Sequence, residues 1–344
     1  MRFDLPEPLD KEGKPSFDEL PDTLIKDIES VIGAPLLDAR TVWGGYSAAF
    51  SIIAETDIGS FFIKGCHPQD MSHGAKNLEQ EIFVYQNCDV LKDIAPAYIG
   101  QVEWGSEDDW RLGIWQAVPN AKIKTQWADE DYQAFVDTYK YLIGATCPVL
   151  NSAFENIFVK DIMTGQTGWY KFSTYEPRAD EFAAAFENPQ QAKDWLLHHL
   201  DSLIETAQKM QDHQTGILHF DIRTDNMLFD DQNRCWLIDW PNACTGPIGS
   251  DLVYLAGELS LRGNGPAKDI FEKICDLLNL KIPAEDIEIN LAQLTGYCAL
   301  NLYRASVDKM PRLRWLQKGM FCTLVGWMQQ LEMVDSVPAF KKTT

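Results

Sequence analysis

Positive charge is scarce in this chain: 30 lysines and arginines stand against 51 aspartates and glutamates, a formal net charge of −21. Phosphate backbones and anionic bilayers are held by basic patches, so nucleic-acid and membrane partners are not expected. Long apolar runs are missing too. No stretch approaches the ~18 apolar residues of a spanning helix, and the most apolar tail segment, Met320 to Met328, is short and contains Thr323. The eight cysteines, Cys66, Cys88, Cys147, Cys235, Cys244, Cys275, Cys298 and Cys322, include no Cys-x-x-Cys pair, which argues against zinc and against a disulfide framework. The six histidines show no metal spacing. The adjacent His198 and His199 lie in a helix-like stretch, where neighbours point to different faces, so no shared metal is expected. The amino end, Met1-Arg2-Phe3-Asp4-Leu5-Pro6, lacks a charged-then-apolar pattern, and a cytoplasmic location is the expectation.

What remains is enough for a sizeable core. With 344 residues, 45% of them hydrophobic, the length permits two lobes or domains. Pro6, Pro8, Gly13 and Pro15 mark a leading arm, and Pro21 to Ile32 reads as a helix. Ser60-Phe61-Phe62-Ile63-Lys64 is strongly β-prone. Asp129 to Leu142 is helix-like, and the region from Cys147 to about Asn188 is less regular, punctuated by Gly165, Gly168 and Pro177. Asn188-Pro189 has the N-cap and first-turn pattern, and Trp195, Leu196, Leu200, Leu203, Ile204, Ala207 and Met210 then recur on one helical face. Helical periodicity returns in Leu252 to Leu259 and in Leu291 to Leu331, the latter broken at Pro311.

The most informative stretch is His219-Phe220-Asp221-Ile222-Arg223-Thr224-Asp225-Asn226, followed by Leu237-Ile238-Asp239-Trp240. Transfer of a phosphoryl group to a hydroxyl needs one carboxylate to orient the hydroxyl and accept its proton, together with oxygen ligands for magnesium. Asp221 fits the first task and Asn226 with Asp239 the second. Met227-Leu228-Phe229 and Cys235-Trp236-Leu237-Ile238 read as two strands joined by the turn Asp230 to Asn233. That hairpin brings Asp239 back beside Asn226. The order of base, amide and downstream aspartate is that of the kinase signature.

His219-x-Asp221-x-x-x-x-Asn226 with Ile238-Asp239-Trp240 resembles the aminoglycoside phosphotransferase and choline kinase superfamily, from about Gly44-Gly45 to the C-terminal helix. The resemblance implies an α+β protein-kinase-like fold of two lobes: a β-rich nucleotide-binding lobe over residues 1–114, a hinge at 115–119, and a helical catalytic and acceptor-binding lobe over 120–344. It implies an enzyme that moves the γ-phosphate of ATP, with Mg²⁺, to a hydroxyl of a small molecule. Gly44, Gly45 and Ser47 lie in a small-residue turn whose backbone amides can approach phosphate oxygens. Lys64 would pair with the α- and β-phosphates and be held by Glu81, with Glu79 as the fallback. The hinge, with Gln116 and Val118, would read the adenine edge through backbone groups, which leaves GTP open. His219 would support the catalytic loop.

Arg223 stands two positions after Asp221, where it can reach the γ-phosphate, the alternative being an ion pair with a carboxylate such as Asp225. Asp251 reads as a helix cap or a partner for the catalytic loop. Glu258 is a loose candidate for acceptor binding, with a solvated helix face the simpler reading. The acidity can draw in a cationic acceptor such as an aminoglycoside or amino sugar, or can be a generally soluble surface. The short link from Asp239 to Asp251 disfavours a protein kinase, and the intact motif disfavours a nucleotide-binding scaffold. The oligomeric state is not legible.

Overall fold

Alternation of apolar residues builds the N-terminal sheet. The computed structural model describes residues 3–66, 72–102, 110–150, 157–209, 211 and 215–341. After α1 (Asp22–Ile32) come β1 (Asp38–Thr41), β2 (Phe50–Thr56) and β3 (Gly59–Cys66), then α2 (Ser72–Asn87), the short α3 (Leu91–Ile94), β4 (Tyr98–Val102) and β5 (Arg111–Gln116). The five strands form one antiparallel sheet in the order β1-β2-β3-β5-β4. Successive side chains of a strand point to opposite faces. Phe50, Ile52 and Ala54 of β2, Phe61 and Ile63 of β3, and Leu112 and Ile114 of β5 therefore share one face, which Leu24, Ile28 and Ile32 of α1 cover. Each fully buried phenylalanine, isoleucine or leucine among them contributes about 1.5–3 kcal/mol.

The opposite face carries Trp115, whose ring lies 5.7 Å from Tyr85 and 5.8 Å from Tyr98, and the buried Leu78 and Ile82 of α2 complete that layer. Gly113 is needed here, because a Cβ on it would come within 2.4 Å of the Trp115 ring. Since Lys64 follows the inward-facing Ile63, it projects to this second face, toward α2. Strand parity thus aims the lysine at the helix that carries Glu81.

Beyond β5 the described chain is mainly helical: α4 (Asp129–Tyr139), α5 (Ile157–Met163), α6 (Trp169–Ser173), α7 (Pro177–Ala183) and α8 (Pro189–Ala207). Strands β6 (Thr215–Leu218), β7 (Met227–Phe229), β8 (Cys235–Leu237) and β9 (Cys244–Pro247) precede α9 (Gly249–Leu261), α10 (Ala267–Leu278), α11 (Ala284–Asn301) and α12 (Leu313–Gln330). Asn188 caps α8 as expected, its side chain accepting from Gln191 N at 3.2 Å. Trp169, Phe182, Trp195 and Phe321 interlock in the core of this lobe, with ring centroids about 6 Å apart. Among the described residues no helix is long and apolar enough to cross a membrane.

The expected hairpin is present: β7 and β8 pair antiparallel with Met227 opposite Leu237. The region from Cys147 to Asn188 departs from expectation. Outside 151–156, which lie beyond the described residues, it holds α5, α6 and α7. Helices of five to seven residues are too short to show a period, and the positive φ of Gly165 and Gly168 separates them. The pairing of β6 with β9 was also not legible, because it joins segments on either side of the catalytic stretch.

The leading arm does not hang free. Trp315 Nε1 donates to Leu5 O at 2.9 Å, Glu7 pairs with Arg262 at 2.9 Å, and Gly13 N donates to Lys309 O at 2.9 Å. Glu12, 2% exposed, takes the Arg312 guanidinium. The arm therefore packs on helical-lobe residues as well as on the chain that follows β1, where Lys14 Nζ donates to Val42 O at 3.3 Å.

Candidate active site

The sheet, α2 and the β7–β8 hairpin converge on one charged cluster. Lys64 Nζ donates to Glu81 Oε2 at 3.0 Å and pairs with Asp239. Trp240 N reaches Glu81 Oε1 at 3.4 Å, so the same glutamate is tied to the residue after Asp239. Burial alone would depress the Lys64 pKa, but Asp239 and Glu81 together hold it above its ordinary value. Burial raises Glu81, with Lys64 opposing. Against the upward push of burial, Lys64 keeps Asp239 below the usual carboxylate range. Glu79, the fallback, pairs instead with Arg111.

Asp239 lies in the left-handed region at φ 68 and Phe220 at φ 57, conformations that cost a residue other than glycine about 1–3 kcal/mol. Hydrogen bonds from several elements hold both turns. Asp251, at the start of α9, accepts from His219 N at 2.8 Å, Phe220 N at 2.9 Å and Tyr139 Oη at 3.1 Å, and burial raises it to about 6. His219 Nε2 lies 2.8 Å from Ile238 O, joining the catalytic loop to the hairpin, and burial keeps its imidazole neutral with a pKa of about 4. Its Nδ1 is buried without a partner among the described residues.

Asn226 and Asp239 are brought close through the backbone, with Ile238 N donating to Asn226 O at 3.0 Å. Asn226 Nδ2 donates to Asp221 O at 2.8 Å and Asp221 Oδ2 at 3.2 Å, which fixes the amide's orientation and leaves its Oδ1 as an acceptor. Asp239 commits Oδ1 to Lys64. One amide oxygen and one carboxylate oxygen form the hard donor set that suits magnesium.

Asp221 accepts from Arg223 Nη1 at 2.7 Å. Burial, opposed by Arg223 and aided by Asp239 and Asp225, raises its pKa to about 7. Arg223, read from sequence as a γ-phosphate contact or an ion-pair partner, has its guanidinium on carboxylates: besides Asp221 it donates to Asp225 at 2.9 and 3.3 Å. Asp225 thereby gains a structural role. Glu258 is neither solvated nor available to an acceptor. It is fully buried and accepts from Thr224 Oγ1 at 3.0 Å and Arg262 Nε at 2.7 Å, bracing the catalytic loop from α9.

The Gly44–Ser47 turn joins β1 to β2, with Gly44 at φ 146 and Gly45 at φ 73, conformations that favour glycine. Ser47 Oγ accepts from Ala49 N at 3.2 Å. Tyr46 was not anticipated. Its ring lies 5.1 Å from the Arg223 guanidinium and 5.2 Å from that of Arg312, and its hydroxyl accepts from Arg262 Nη2 at 2.8 Å. Arg312 also donates to Gly45 O at 2.6 Å. No local signal could reveal these contacts, which join Gly45 and Tyr46 to arginines far along the chain.

At the expected hinge, Gln116 N donates to Ala97 O at 2.8 Å and Ala117 N to Ser60 O at 2.9 Å, while Val118 O accepts from Ala121 N at 3.4 Å. Gln116 is exposed. Away from these elements, His198 and His199 depart from expectation: their rings lie 4.7 Å apart, with Asp335 beside them. His199 Nε2 is occupied, accepting from Asp335 N at 3.3 Å.

On the far side of Asp221 a cavity of about 170 Å³ opens between α9, α11 and α12. Asp221, Arg223 and Asp251 all line this hollow.

Comparison with known proteins places the arrangement. Over nearly all of its length the fold is similar to a spectinomycin phosphotransferase, APH(9)-Ia, solved with ADP and spectinomycin (TM-score 0.60, 14% identity, 92% of this chain and 100% of that one). It is also similar to an aminoglycoside phosphotransferase from Alicyclobacillus acidocaldarius (TM-score 0.54, 13% identity, 87% and 93%) and to choline kinase LicA from Streptococcus pneumoniae (TM-score 0.50, 15% identity, 87% and 98%). These likenesses show the two-lobed kinase-like fold. No curated protein matches the sequence. The model of the phosphotransferase enzyme family matches residues 38–270, a span that runs from β1 through the glycine turn, Lys64, Glu81, Asp221, Asn226 and Asp239, and with that match the chain belongs to this family.

Proposed function

We propose that this protein is an ATP-dependent kinase of a small alcohol. The observation that carries the reading is the convergence of the Lys64–Glu81–Asp239 cluster with a half-buried Asp221 whose pKa, about 7, suits a general base. Solved structures of the same fold hold ADP, AMP or ATP, which supports nucleotide use. We place the nucleotide between the β-rich lobe, residues 1–114, and the helical lobe, 120–344, with 115–119 as hinge and the backbone about Gln116 and Val118 reading the base. Gly44, Gly45 and Ser47 would face the phosphates.

Asn226 and Asp239 would hold Mg²⁺, which when bound neutralises charge on the phosphate oxygens. Lys64, steadied by Glu81, positions the nucleotide's phosphates. Asp221 orients the acceptor hydroxyl and takes its proton as the hydroxyl oxygen bonds to the γ-phosphorus. The bridging P–O bond then breaks, and its electrons leave with the nucleoside diphosphate. A base so placed contributes about 10²–10⁴-fold. Arg223 positions Asp221 and offsets charge beside it.

Magnesium-dependent ADP formation against aminoglycosides, amino sugars, choline-like amines, nucleosides and neutral ring alcohols tests the reading, with Asp221→Ala as control. Stimulation lost in the variant is expected. Equal turnover by Asp221→Ala would refute it.

A further inference from the structure

We infer that the acceptor is a compact, uncharged alcohol about the size of a single ring, seated in the cavity beside Asp221 with Tyr254 reading it. The inference rests on the kinase reading above and adds what that reading leaves open. A hollow of about 170 Å³ is close to the ~150 Å³ that accommodates benzene and below the ~300 Å³ at which drug-sized ligands begin to fit. One ring fills it.

Charge on the wall points the same way. Among the described lining residues the carboxylates are Asp221 and Asp251. Asp251 already accepts from three donors, and Asp221 is paired with Arg223 and Asn226. An ammonium placed here would lose its hydration and meet no uncommitted anion. The acidity of the whole chain therefore does not make this wall a cation site. Leu294, Leu316 and Met320 offer an apolar flank instead.

The polar wall is mostly spent on itself. Gln317 Nε2 donates to Tyr297 Oη at 3.3 Å, and Gln317 Oε1 accepts from Arg314 Nη1 at 2.6 Å. Tyr254 differs: it lines the cavity, and its hydroxyl makes no hydrogen bond with the described residues. Burial first, and then the nearby Asp221, raise its pKa well above the ordinary value, so it stays a neutral donor. A site with one free hydroxyl beside an apolar flank selects a ligand that pairs a polar edge with an apolar one.

The test uses the full chain with ATP and Mg²⁺. Cyclohexanediols and inositols are compared with aminocyclohexanols of equal size and with multi-ring aminoglycosides, by ligand-detected NMR for binding and by ADP formation for transfer. Neutral rings should bind and be phosphorylated, with the ammonium counterparts at least about tenfold weaker, as expected for an unpaired buried charge. Tyr254→Phe should lower kcat/KM about tenfold, the loss of one hydrogen bond to a buried group, with nucleotide affinity unchanged. Leu294→Trp should abolish acceptor binding, and the smaller change Met320→Phe should weaken it if the tryptophan variant does not fold. A preference for ammonium or aminoglycoside acceptors, or failure of every neutral ring to bind, would overturn the acceptor class while leaving the kinase reading standing. Failure to bind nucleotide would overturn the kinase reading itself.

Discussion

Replacing Asp221 by asparagine should stabilise the protein increasingly as pH rises, and this can be measured without knowing the acceptor. Burial lifts the Asp221 pKa from 3.8 to about 7 in the folded chain, whereas the unfolded chain keeps the ordinary value. Between those limits the unfolded state has released a proton that the folded state still holds, so stability falls as pH rises through the window. Each pH unit costs about 1.4 kcal/mol, which gives about 4 kcal/mol at the plateau above pH 7. Roughly half of that accumulates between about pH 5.5 and pH 7. Asparagine cannot ionise and is exempt from the cost. It also rearranges the bonds to Arg223 Nη1 and Asn226 Nδ2, but that offset does not depend on pH. The quantity to read is therefore the slope, not the absolute difference. Urea unfolding of both proteins from about pH 5.5 to pH 8 gives it. The variant's advantage should grow by about 2 kcal/mol and then level off. A difference that is flat, or that shrinks as pH rises, would refute the raised pKa of this carboxylate.

The same carboxylate should make kcat/KM for the acceptor rise through a pKa of about 7, as the base becomes ionised, and a profile already flat at about pH 5 would assign the base elsewhere. Asp239→Ala should weaken Mg²⁺-dependent nucleotide binding by calorimetry, and unchanged affinity would remove Asp239 from the metal site. Glu258→Ala leaves the Arg262 guanidinium and Thr224 without their buried acceptor and should cost about 3 kcal/mol in urea unfolding together with a fall in kcat; a silent variant would show that the catalytic loop does not lean on α9. Glu12→Ala removes the main partner of Arg312, which holds Gly45 O. It should lower stability by about 1–3 kcal/mol and expose the leading arm to limited proteolysis first, whereas an unchanged digestion pattern would mean the arm is held by other contacts.

The geometry of the His219–Asp239 segment was legible because it is local. Asp221 and Asn226 share one loop, and the β7–β8 hairpin that returns Asp239 to Asn226 spans few residues, so spacing and turn residues specify it. Lys64 and Glu81 lie on adjacent elements, and strand parity with the helix that follows suffices to pair them. Glu258 was misread because α9 is apolar nearly all round, and a carboxylate in such a helix signals its burial only once its partners, Thr224 and Arg262, are known. Tyr46, Arg312, Glu12 and Tyr254 gave no signal. Their contacts close over long stretches of chain, and no pattern of neighbours encodes which distant side chain a guanidinium will meet. By itself, then, the sequence determined the family and the order of the residues proposed as base and phosphate ligands, since these depend on residue type at short range. Tertiary structure alone decided the size and charge of the hollow beside Asp221, the clamp on the glycine turn and the raised pKa of the base, because burial and long-range packing exist only when the whole chain is folded.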